Sequence, residues 1–572
     1  MRMNKDRNKS DLLVELGCEE LPPKTLTRLA NAFYEGTCKG LKEAGFDFRS
    51  EHGDVFYTPR RLGFRIRGLA GKQADQKLER KGPSVQAAFD DDGNPTKAAL
   101  GFARSVGKEV DELERQKTEK GEWLYCTVDQ PGKLLFEVLY PVLEKALAGL
   151  PVAKPMRWSD HDYQFVRPVH WLLVLHGDQV LEGSLYGQQA GNVTRGHRIH
   201  NPGPHTVSEE SEYESVLEKA FVTVDPSERK TRIREMVENA GVSLGGQARI
   251  TDSLLDEVNN IIEWPSAISC RFEEDFLEVP QEALIASMED HQKFFPVLDS
   301  ETGKITAGFV VIANVDSRDP SQVKEGFERV IRPRLADARF FWDQDQKQAL
   351  SDYTRALDAV VFQKKLGSIG DKSKRIASIS KNLADFLNLD SGQAERAAEL
   401  CKCDLLTQMV GEFPELQGTM GGYYASRSGE AEPVATAISE HYSPRFAGDD
   451  IPVSPLGQVL SIADRMDTLV GIFALGQKPT GNKDPFALRR AALGVIRNLG
   501  EANLPVTLDQ LIELAAKPVS AQLEVNAECL SDIRRFMLER AKNFYLEQGI
   551  NTNVVNAVFA APLTTVPDLK AR

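Results

Sequence analysis

The sequence lacks any hydrophobic run long enough to cross a membrane, because no stretch approaches about 18 consecutive apolar residues. Residues 1–11 are charged and polar rather than apolar, so they do not predict a signal peptide, and we expect a cytoplasmic protein. Cysteine is also scarce, with seven residues in 572. They are scattered, and the one close pair, Cys401 and Cys403, is separated by a single residue. This pattern argues against a disulfide framework and against paired zinc ligands.

Positive charge is in deficit. Lysine and arginine number 70 against 84 acidic residues, which gives a net charge of −14. A protein that coats nucleic acid regardless of sequence needs many phosphate contacts, so this composition argues against a coat protein of that kind. An acidic net charge is still compatible with local basic surfaces. Common nucleotide and metal signatures are missing too, and residues 367–373 (GSIGDKS) have the wrong spacing for a P-loop. Hydrophobic residues make up 41% of the chain, enough for several cores.

Hydrophobic periodicity divides the chain near residue 345. Before that point, strand-like and helical segments alternate, for example the strand Asp11–Leu16 and the helix Lys24–Leu41. Residues 55–66 alternate like a strand around Thr58–Arg61, and Gly177 and Asp178 predict a hairpin turn between strands at 165–175 and 180–186. Beyond it, the periodicity is almost only helical. The predicted helices there include 350–361, 371–387, 393–410, 433–441, 456–475 and 485–499. We therefore predict a multidomain α+β protein with two mixed regions, 1–150 and 151–345, followed by an all-helical region, 346–572.

Three segments concentrate basic residues and are candidates for contact with RNA. Their basic residues are Arg195, His197 and Arg198; Arg332, Arg334 and Arg339; and Lys483, Arg489 and Arg490. In 194–198 a glycine permits close approach of the backbone to a phosphate. In 329–342 arginines alternate with aromatic residues, which suits RNA and an interface between domains equally well. In 483–490 Asp484 is the predicted N-cap and Pro485 the first helical residue, so free backbone N–H groups and arginines would attract an anion. A solvated turn is the alternative for the first segment, and a well-capped surface helix is the alternative for the third.

Aspartates on predicted apolar helices form a fourth candidate site. Asp404 follows Cys403, and Asp464 and Asp467 lie three residues apart. A helical bundle that brought two such carboxylates together could hold a metal. A site of this kind also needs histidines, and the nearest, His441, is not in an obvious ligand position. Capping or ion-paired aspartates are therefore the favoured interpretation.

Ten strings, in order from residue 13 to the C-terminal part of the chain, resemble the β subunit of the bacterial heterotetrameric glycyl-tRNA synthetase. The strings are LVELGCEELPPKTL (13–26), TPRRLGFRI (58–66), ERKGPS (79–84), MRWSDHDYQFVRPVHWL (156–172), TRGHR (194–198), IIEWP (261–265), HQKFFPV (291–297), IRPRLADARFFWDQD (331–345), KCDLLTQMVGEFPELQGTMGGYYA (402–425) and NKDPFALRRAALG (482–494). The resemblance extends to about residue 560.

The resemblance implies an α2β2 enzyme that attaches glycine to tRNA(Gly). The α subunit would carry the catalytic core and use ATP and Mg²⁺, while this chain would bind tRNA without a cofactor or catalytic residue of its own. It would hold the acceptor end for the active site in α, which is catalysis by proximity. The nine basic residues of the three segments are the expected tRNA contacts.

The resemblance also implies a fold. The mixed regions would contain a module similar to B3/B4 of phenylalanyl-tRNA synthetase and parts similar to the body and tail of a CCA-adding enzyme, and the helical region would be related to HD-type phosphohydrolases. Cys403 and Asp404 would stand in place of the HD pair and Asp464 in place of the final metal ligand, and without the histidines we expect a vestigial site with no metal. The family's C-terminal anticodon-binding domain would begin where this chain stops, so we expect a truncated chain that does not read the anticodon.

Two other functions remain open. A stand-alone HD-like metal-dependent phosphohydrolase would act on nucleotides or RNA ends without a partner. A pure assembly scaffold would bind α and never touch RNA. An editing function for a B3/B4-like module is disfavoured, because glycine is the smallest amino acid and larger competitors are excluded sterically.

Overall fold

The computed structural model describes residues 9–90, 92–118, 121–481, 483–560 and 565–571. The polar start on which the cytoplasmic expectation rests lies largely outside them, since residues 1–8 are not described. The chain forms two compact units, the first comprising Met1–Arg271 and Lys293–Glu328 and the second comprising Phe272–Gln292 and Arg329–Arg572. The predicted mixed α+β class is confirmed, whereas the division at 150 and 345 and the named sub-domains stay predictions. In the described part of the chain, no helix combines the length and the apolar character needed to cross a bilayer.

The main sheet of the first unit has seven strands. In spatial order six of them are Arg49–Thr58, Arg61–Ala70, Lys9–Cys18, Val169–His176, Gln188–Gly191 and Ser184–Leu185, and Gln179–Val180 pairs with Val169–His176. Strand Lys9–Cys18 confirms the strand predicted at 11–16. Side chains of a strand alternate between faces, and both faces are covered here. Leu12 and Leu16 pack under the helices Pro23–Glu43 and Leu135–Ala148, while Leu13 packs against Tyr213 on the other face.

Two turns shape this sheet. The alternating segment around Thr58–Arg61 forms two strands, Arg49–Thr58 and Arg61–Ala70, which pair as a hairpin with Pro59 and Arg60 at the bend. The predicted turn at Gly177 and Asp178 is confirmed, because Gln179–Val180 pairs with the preceding strand and Gly177 has a φ of 64°. That φ lies in the left-handed region that glycine adopts without strain.

Smaller sheets complete the first unit. A three-stranded sheet runs in the order Gln76–Ser84, Gly121–Gln130, Glu114–Thr118, beside the helix Lys97–Val106. A four-stranded sheet runs in the order Gln247–Ala248, Phe295–Leu298, Ile305–Ala313, Ser266–Arg271, and the helices Pro226–Ser243 and Asp252–Asn259 pack on it. The strands Val193–Arg195 and Pro204–Thr206 form a two-stranded ribbon, and a short helix spans Tyr213–Lys219.

The second unit is almost entirely helical. Its helices are Gln281–Ala286, the part of Pro320–Asp345 from Arg329 onward, Ile369–Phe386, Ser391–Leu400, Gln408–Glu412, Thr419–Arg427, Glu432–Glu440, Pro455–Ala474, Leu488–Glu501, Leu508–Val519, Ala527–Glu547, Thr552–Ala560 and Val566–Ala571. Pro455–Ala474 is the central helix. It is buried on most sides, as its nearly continuous apolar sequence predicts, and it packs against Ile369–Phe386, Glu432–Glu440, Leu488–Glu501 and Leu508–Val519.

Two helix predictions were wrong. The segment 350–361 forms two short 3₁₀ turns and then the strand Val361–Gln363, which pairs with Gly367–Ser368. The predicted helix 393–410 breaks after Leu400, and a new short helix begins at Gln408. The carboxylate of Asp345 accepts the N–H groups of Gln408 and Met409 at 2.9 and 3.0 Å. A distant side chain thus caps a new helix, which a local periodicity cannot anticipate.

Candidate nucleic-acid interface

A buried cluster of charges joins two helices of the second unit. Asp464 and Asp467 lie three residues apart on Pro455–Ala474 and therefore share a face, and they meet Lys372 and Arg375, spaced in the same way on Ile369–Phe386. Lys372 Nζ lies 2.7 Å from Asp464 Oδ1 and 3.1 Å from Asp467 Oδ2, and Arg375 Nε donates to Asp467 Oδ1 at 2.6 Å. Each charge in such a buried pair needs its partner, because a buried charge without a partner strongly destabilises the fold.

Lys402 adds a second ammonium group to Asp464. Its Nζ donates to Asp464 Oδ2 at 2.7 Å and to His441 Nε2 at 2.9 Å. His441 Nδ1 contacts the carbonyl of Ile438 at 2.6 Å and is therefore the donating nitrogen, which leaves Nε2 as the acceptor. Burial, reinforced by Lys402, lowers the pKa of His441 well below its usual value, so the ring is neutral. Burial opposes the charge on Lys402, but Asp464 outweighs it and raises the pKa of Lys402.

These ammonium groups occupy both oxygens of Asp464. Against the cost of burial, Lys372 and Lys402 hold the pKa of Asp464 well below its usual value. We name the set Lys372, Arg375, Lys402, Asp464 and Asp467 the lysine–aspartate cluster. His441, which sequence reasoning left aside, is a direct neighbour of this cluster.

Cys403, Asp404 and Asp464, the positions that the resemblance places in an HD-like site, do not share one set of partners. Asp404 Oδ2 accepts the backbone N–H groups of Gly418 and Gly421 at 2.6 and 3.1 Å. Cys403 Sγ lies 3.6 Å from Thr354 Oγ1. Within the described ranges, no three or more His, Cys, Asp or Glu side chains are grouped so that they could hold a metal.

Asp404 makes folding sensitive to pH. Burial raises the pKa of Asp404 to about 6, although the two backbone N–H groups and Lys402 act in the opposite direction. A carboxyl whose pKa is higher in the folded than in the unfolded state binds more protons when folded, so stability falls as pH rises from about 4 to about 6. We expect Asp404→Asn to remove this pH-dependent part of the free energy of unfolding, which is on the order of 1–3 kcal/mol. Urea unfolding at pH 4.5 and 7.5 measures it, and an equal pH dependence in both proteins would contradict it.

Two cavities beside the cluster form a basic surface. The inner cavity, about 470 Å³, is lined by Glu415, Gln417, Tyr442, Pro444, Arg445, Asp464, Arg465, Thr468, Phe486, Ala487, Arg490 and Ala491. The outer cavity, about 530 Å³, is lined by Arg445, Phe446, Ala447, Arg489, Arg490, Leu493, Arg540, Asn543, Phe544 and Glu547. Arg445 and Arg490 belong to both. We name this surface, with Arg445, Arg465, Arg489, Arg490 and Arg540 as its basic residues, the arginine groove.

Arg465 and a further arginine, Arg497, hold the loop that presents Arg445 and Phe446. The Arg465 guanidinium donates to the carbonyls of His441, Tyr442 and Pro444 at 2.8–3.0 Å. The Arg497 guanidinium donates to the carbonyl of Asp449 at 2.6 Å. Phe446, 65% exposed, is therefore displayed on a loop fixed from both ends. A role for Arg445, Phe446 and Arg540 was not predicted from the sequence, although the adjacent arginine and phenylalanine at 445–446 are a pattern typical of RNA contact.

The predicted helix start at Pro485 was wrong, and this changes how the groove can bind an anion. The helix begins at Leu488, after Ala487, which has a left-handed φ of 52°. Asp484 still caps it, since its carboxylate accepts the N–H groups of Leu488 and Arg489 at 2.8 and 3.0 Å. Those two N–H groups are therefore already occupied and cannot bind a phosphate.

The third predicted segment contributes two arginines to the groove. Arg490 is exposed, and Arg489, partly exposed, donates to the carbonyl of Gly481 at 2.6 Å. Lys483 is exposed in the turn before the helix. The structure thus brings Arg489 and Arg490 together with Arg445 and Arg540, which come from other parts of the chain.

Two arginines of 329–342 have acidic partners. Arg332 Nε donates to Glu273 at 2.7 Å, and Arg339 donates to Glu278 at 3.0 Å. Both arginines thereby hold the turn around 273–278 onto their helix. Arg334 is exposed. Their contact with RNA stays a prediction, and for Arg332 and Arg339 it would compete with these pairs.

The first segment, in the first unit, is also engaged. His197 is 1% exposed, and its Nδ1 accepts the N–H groups of Ile199 and His200, both at 3.2 Å. Arg198 pairs with Glu19 and Glu20 at 3.0 and 3.3 Å, and exposed Arg195 lies over the Trp171 ring at 5.8 Å.

Four of the quoted strings meet in a buried network of the first unit. Arg61, 0% exposed, donates to Glu263 and to the carbonyl of Arg195, and its Nε lies 3.8 Å from Glu15. Arg60 pairs with Glu263 at 2.8 Å, and Thr194 Oγ1 donates to Glu15 at 2.7 Å. These strings therefore supply the polar core of the first unit.

Comparison with known proteins identifies the family. A family model described as "Glycyl-tRNA synthetase beta subunit" matches residues 12–560. Proteins named "Glycine--tRNA ligase beta subunit" from Chromohalobacter salexigens, Marinobacter nauticus and Photorhabdus laumondii are 47%, 48% and 45% identical to this chain, each over 98% of this chain and 81% of the relative. The chain therefore belongs to the glycyl-tRNA synthetase β subunit family.

Proposed function

We propose that this chain is the tRNA-binding subunit of a cytoplasmic α2β2 glycine–tRNA ligase and that it holds the acceptor side of tRNA(Gly) for an active site in the α subunit. The observation that carries this proposal is the arginine groove, a basic surface on a chain whose net charge is −14. The names of the relatives and of the family model support the ligase assignment.

The groove has the chemistry that RNA requires. Arginine forks bind phosphate through two parallel hydrogen bonds, and aromatic faces accept unpaired bases. Arg445, Arg489 and Arg490 lie with exposed Phe446 around the two cavities. The acidic net charge of the chain disfavours non-specific contact with RNA elsewhere on its surface.

The chain's part in the reaction is positioning. Holding the terminal ribose hydroxyl of the tRNA near the activated glycine turns an encounter of two molecules into a reaction within one complex. That task needs no proton-transferring residue from this chain. ATP and Mg²⁺ are assigned to the α subunit.

Charge reversal in the groove tests this proposal. We expect Arg489→Glu combined with Arg490→Glu to weaken binding of tRNA(Gly) about 10- to 100-fold and to reduce the slope of log affinity against log salt by about 2, because each lost phosphate contact removes about one unit. Filter binding between 50 and 200 mM salt measures both quantities.

The matched control is Arg534→Glu with Arg535→Glu, the same charge change on exposed arginines that line neither cavity. An equal loss of tRNA affinity in the two double variants would show a general charge effect. It would contradict the claim that the arginine groove binds the tRNA. A wild-type chain that binds the α subunit but no tRNA would favour the scaffold function. Metal-dependent phosphohydrolase turnover by the chain alone would favour the other alternative.

A further inference from the structure

We infer that the inner cavity of the arginine groove takes one unpaired nucleotide of the tRNA 3′ end, with its base against Phe486 and Tyr442 and its phosphate on Arg490 and Arg445. This inference rests on the proposed function and adds a subsite to it. No role was predicted from the sequence for the Phe486 ring or for the cavity that it lines.

The cavity has the size and walls of a small-molecule site. Its volume of about 470 Å³ lies within the range of pockets that enclose a ligand of nucleotide size. Phe486, Ala487 and Ala491 form an apolar wall, and Tyr442 contributes a second aromatic ring. A base inside a duplex is covered by its neighbours and cannot enter such a cavity, whereas an unpaired base can stack on an aromatic wall.

Tyr442 is fixed before any ligand arrives. Its ring centroid lies 3.9 Å from that of His441, and Lys402 Nζ lies 4.0 Å from the centre of the Tyr442 ring. His441 and Lys402 are themselves held by the lysine–aspartate cluster. A preformed aromatic surface loses little conformational freedom on binding, which favours stacking.

The charges around the cavity suit a phosphate. Arg490 and Arg445 line both cavities, so a phosphate at their shared edge would join a base in the inner cavity to the strand in the outer one. Asp464 also lines the inner cavity, but each of its oxygens carries an ammonium partner at 2.7 Å. Its negative charge is thereby compensated and does not repel the ligand.

One wall offers hydrogen-bonding groups to a base edge. Glu415 and Gln417 line the inner cavity, and their backbone carbonyls accept from Arg445 at 2.8 and 3.3 Å. The arginine thus holds the backbone of this wall in place. A carboxylate and an amide side chain can both accept a hydrogen bond from the amino group of a base.

A double-mutant cycle between protein and RNA tests the inference. The proteins are the full chain and its Phe486→Leu variant, and the RNAs are intact tRNA(Gly) and tRNA(Gly) trimmed of its unpaired 3′ nucleotides. We expect Phe486→Leu to weaken binding of intact tRNA at least about tenfold, because stacking of one base contributes about that much. Trimming should cause a similar loss with the wild-type chain and little further loss with the variant.

Two further variants separate stacking from misfolding. Phe486→Tyr keeps the ring and should bind as the wild type does. Phe386→Leu changes an exposed phenylalanine of the second unit that does not line the inner cavity, and it should leave affinity unchanged. Circular dichroism melting verifies that each variant folds.

The outcomes distinguish the inference from the proposed function. The inference is overturned if Phe486→Leu binds intact tRNA with wild-type affinity, or if its loss persists undiminished with trimmed tRNA. In either case the wild-type chain would still bind tRNA with a salt-dependent affinity, and the proposed function would stand. If the wild-type chain binds neither RNA, the proposed function itself fails and the inference fails with it.

Discussion

Replacing Arg61 with methionine lowers the free energy of unfolding of the first unit by about 3–5 kcal/mol, the expected cost of removing one partner from a buried ion network. The Arg61 side chain is 0% exposed and lies between Glu15 and Glu263, which are themselves 0% and 2% exposed. Methionine fills much of the same volume but leaves two carboxylates with fewer partners. Arg60 still pairs with Glu263, so the main penalty falls on Glu15.

Urea unfolding followed by tryptophan fluorescence measures this effect, since Trp171 and Trp264 lie in the first unit. The control is Arg67→Met, which removes a 43% exposed guanidinium paired with Asp54 at 2.6 Å. An exposed pair of this kind contributes about 1 kcal/mol or less. Similar losses in the two variants would contradict the claim that the Arg61 network stabilises the unit.

The same variant should shift the acid limit of stability. Burial opposes ionisation of Glu263, but Arg61 and Arg60 outweigh it and lower the pKa of Glu263 to about 2. A carboxyl with a depressed folded-state pKa contributes stability above its ordinary pKa, and this contribution is lost as pH falls from about 4.5 towards 2. In Arg61→Met the pKa of Glu263 should rise, so the loss should begin at a higher pH.

Replacing Asp467 with asparagine destabilises the second unit by about 3–5 kcal/mol. Asp467 is fully buried, and its carboxylate joins Arg375 at 2.6 Å and Lys372 at 3.1 Å. Asparagine preserves the shape but removes the charge, so a buried guanidinium loses its principal partner. Lys372 keeps Asp464 and is affected less.

Thermal and urea unfolding followed by helical circular dichroism measure this loss, because the second unit is almost entirely helical. The control is Asp509→Asn, whose carboxylate is 62% exposed and pairs with Arg534 at 2.8 Å. We expect that control to change stability by about 1 kcal/mol or less. A loss at Asp467 no greater than at Asp509 would show that the lysine–aspartate cluster does not hold the helices together.

Local patterns were sufficient for much of the fold. The buried strand at 11–16, the hairpin at Gly177 and the helices at 371–387, 433–441 and 456–475 were predicted within a few residues. Alternation and helical spacing depend on neighbours within a few positions, so they survive in the sequence. The family could also be predicted from the sequence, because long strings such as 402–425 are specific without any structure.

The predictions that failed depend on residues distant in sequence. The helix predicted at 393–410 breaks, and Asp345 caps the new helix that begins at Gln408. Asp345 lies 63 residues before Gln408, whose N–H group it accepts. The N–H groups expected to bind an anion near 485 are taken by Asp484, because Ala487 turns the chain before the helix begins. Neither competition is visible in a short window of sequence.

The sequence by itself determined the family, the helical character of the second unit and which segments are rich in arginine. Only the tertiary structure decided which arginines face acidic partners, as Arg332 and Arg339 do, and which line a groove, as Arg445 and Arg490 do. The physical reason is that a charged side chain is available for RNA only if no nearer group neutralises it. That depends on which helices are packed side by side, and spacing along one helix does not reveal it.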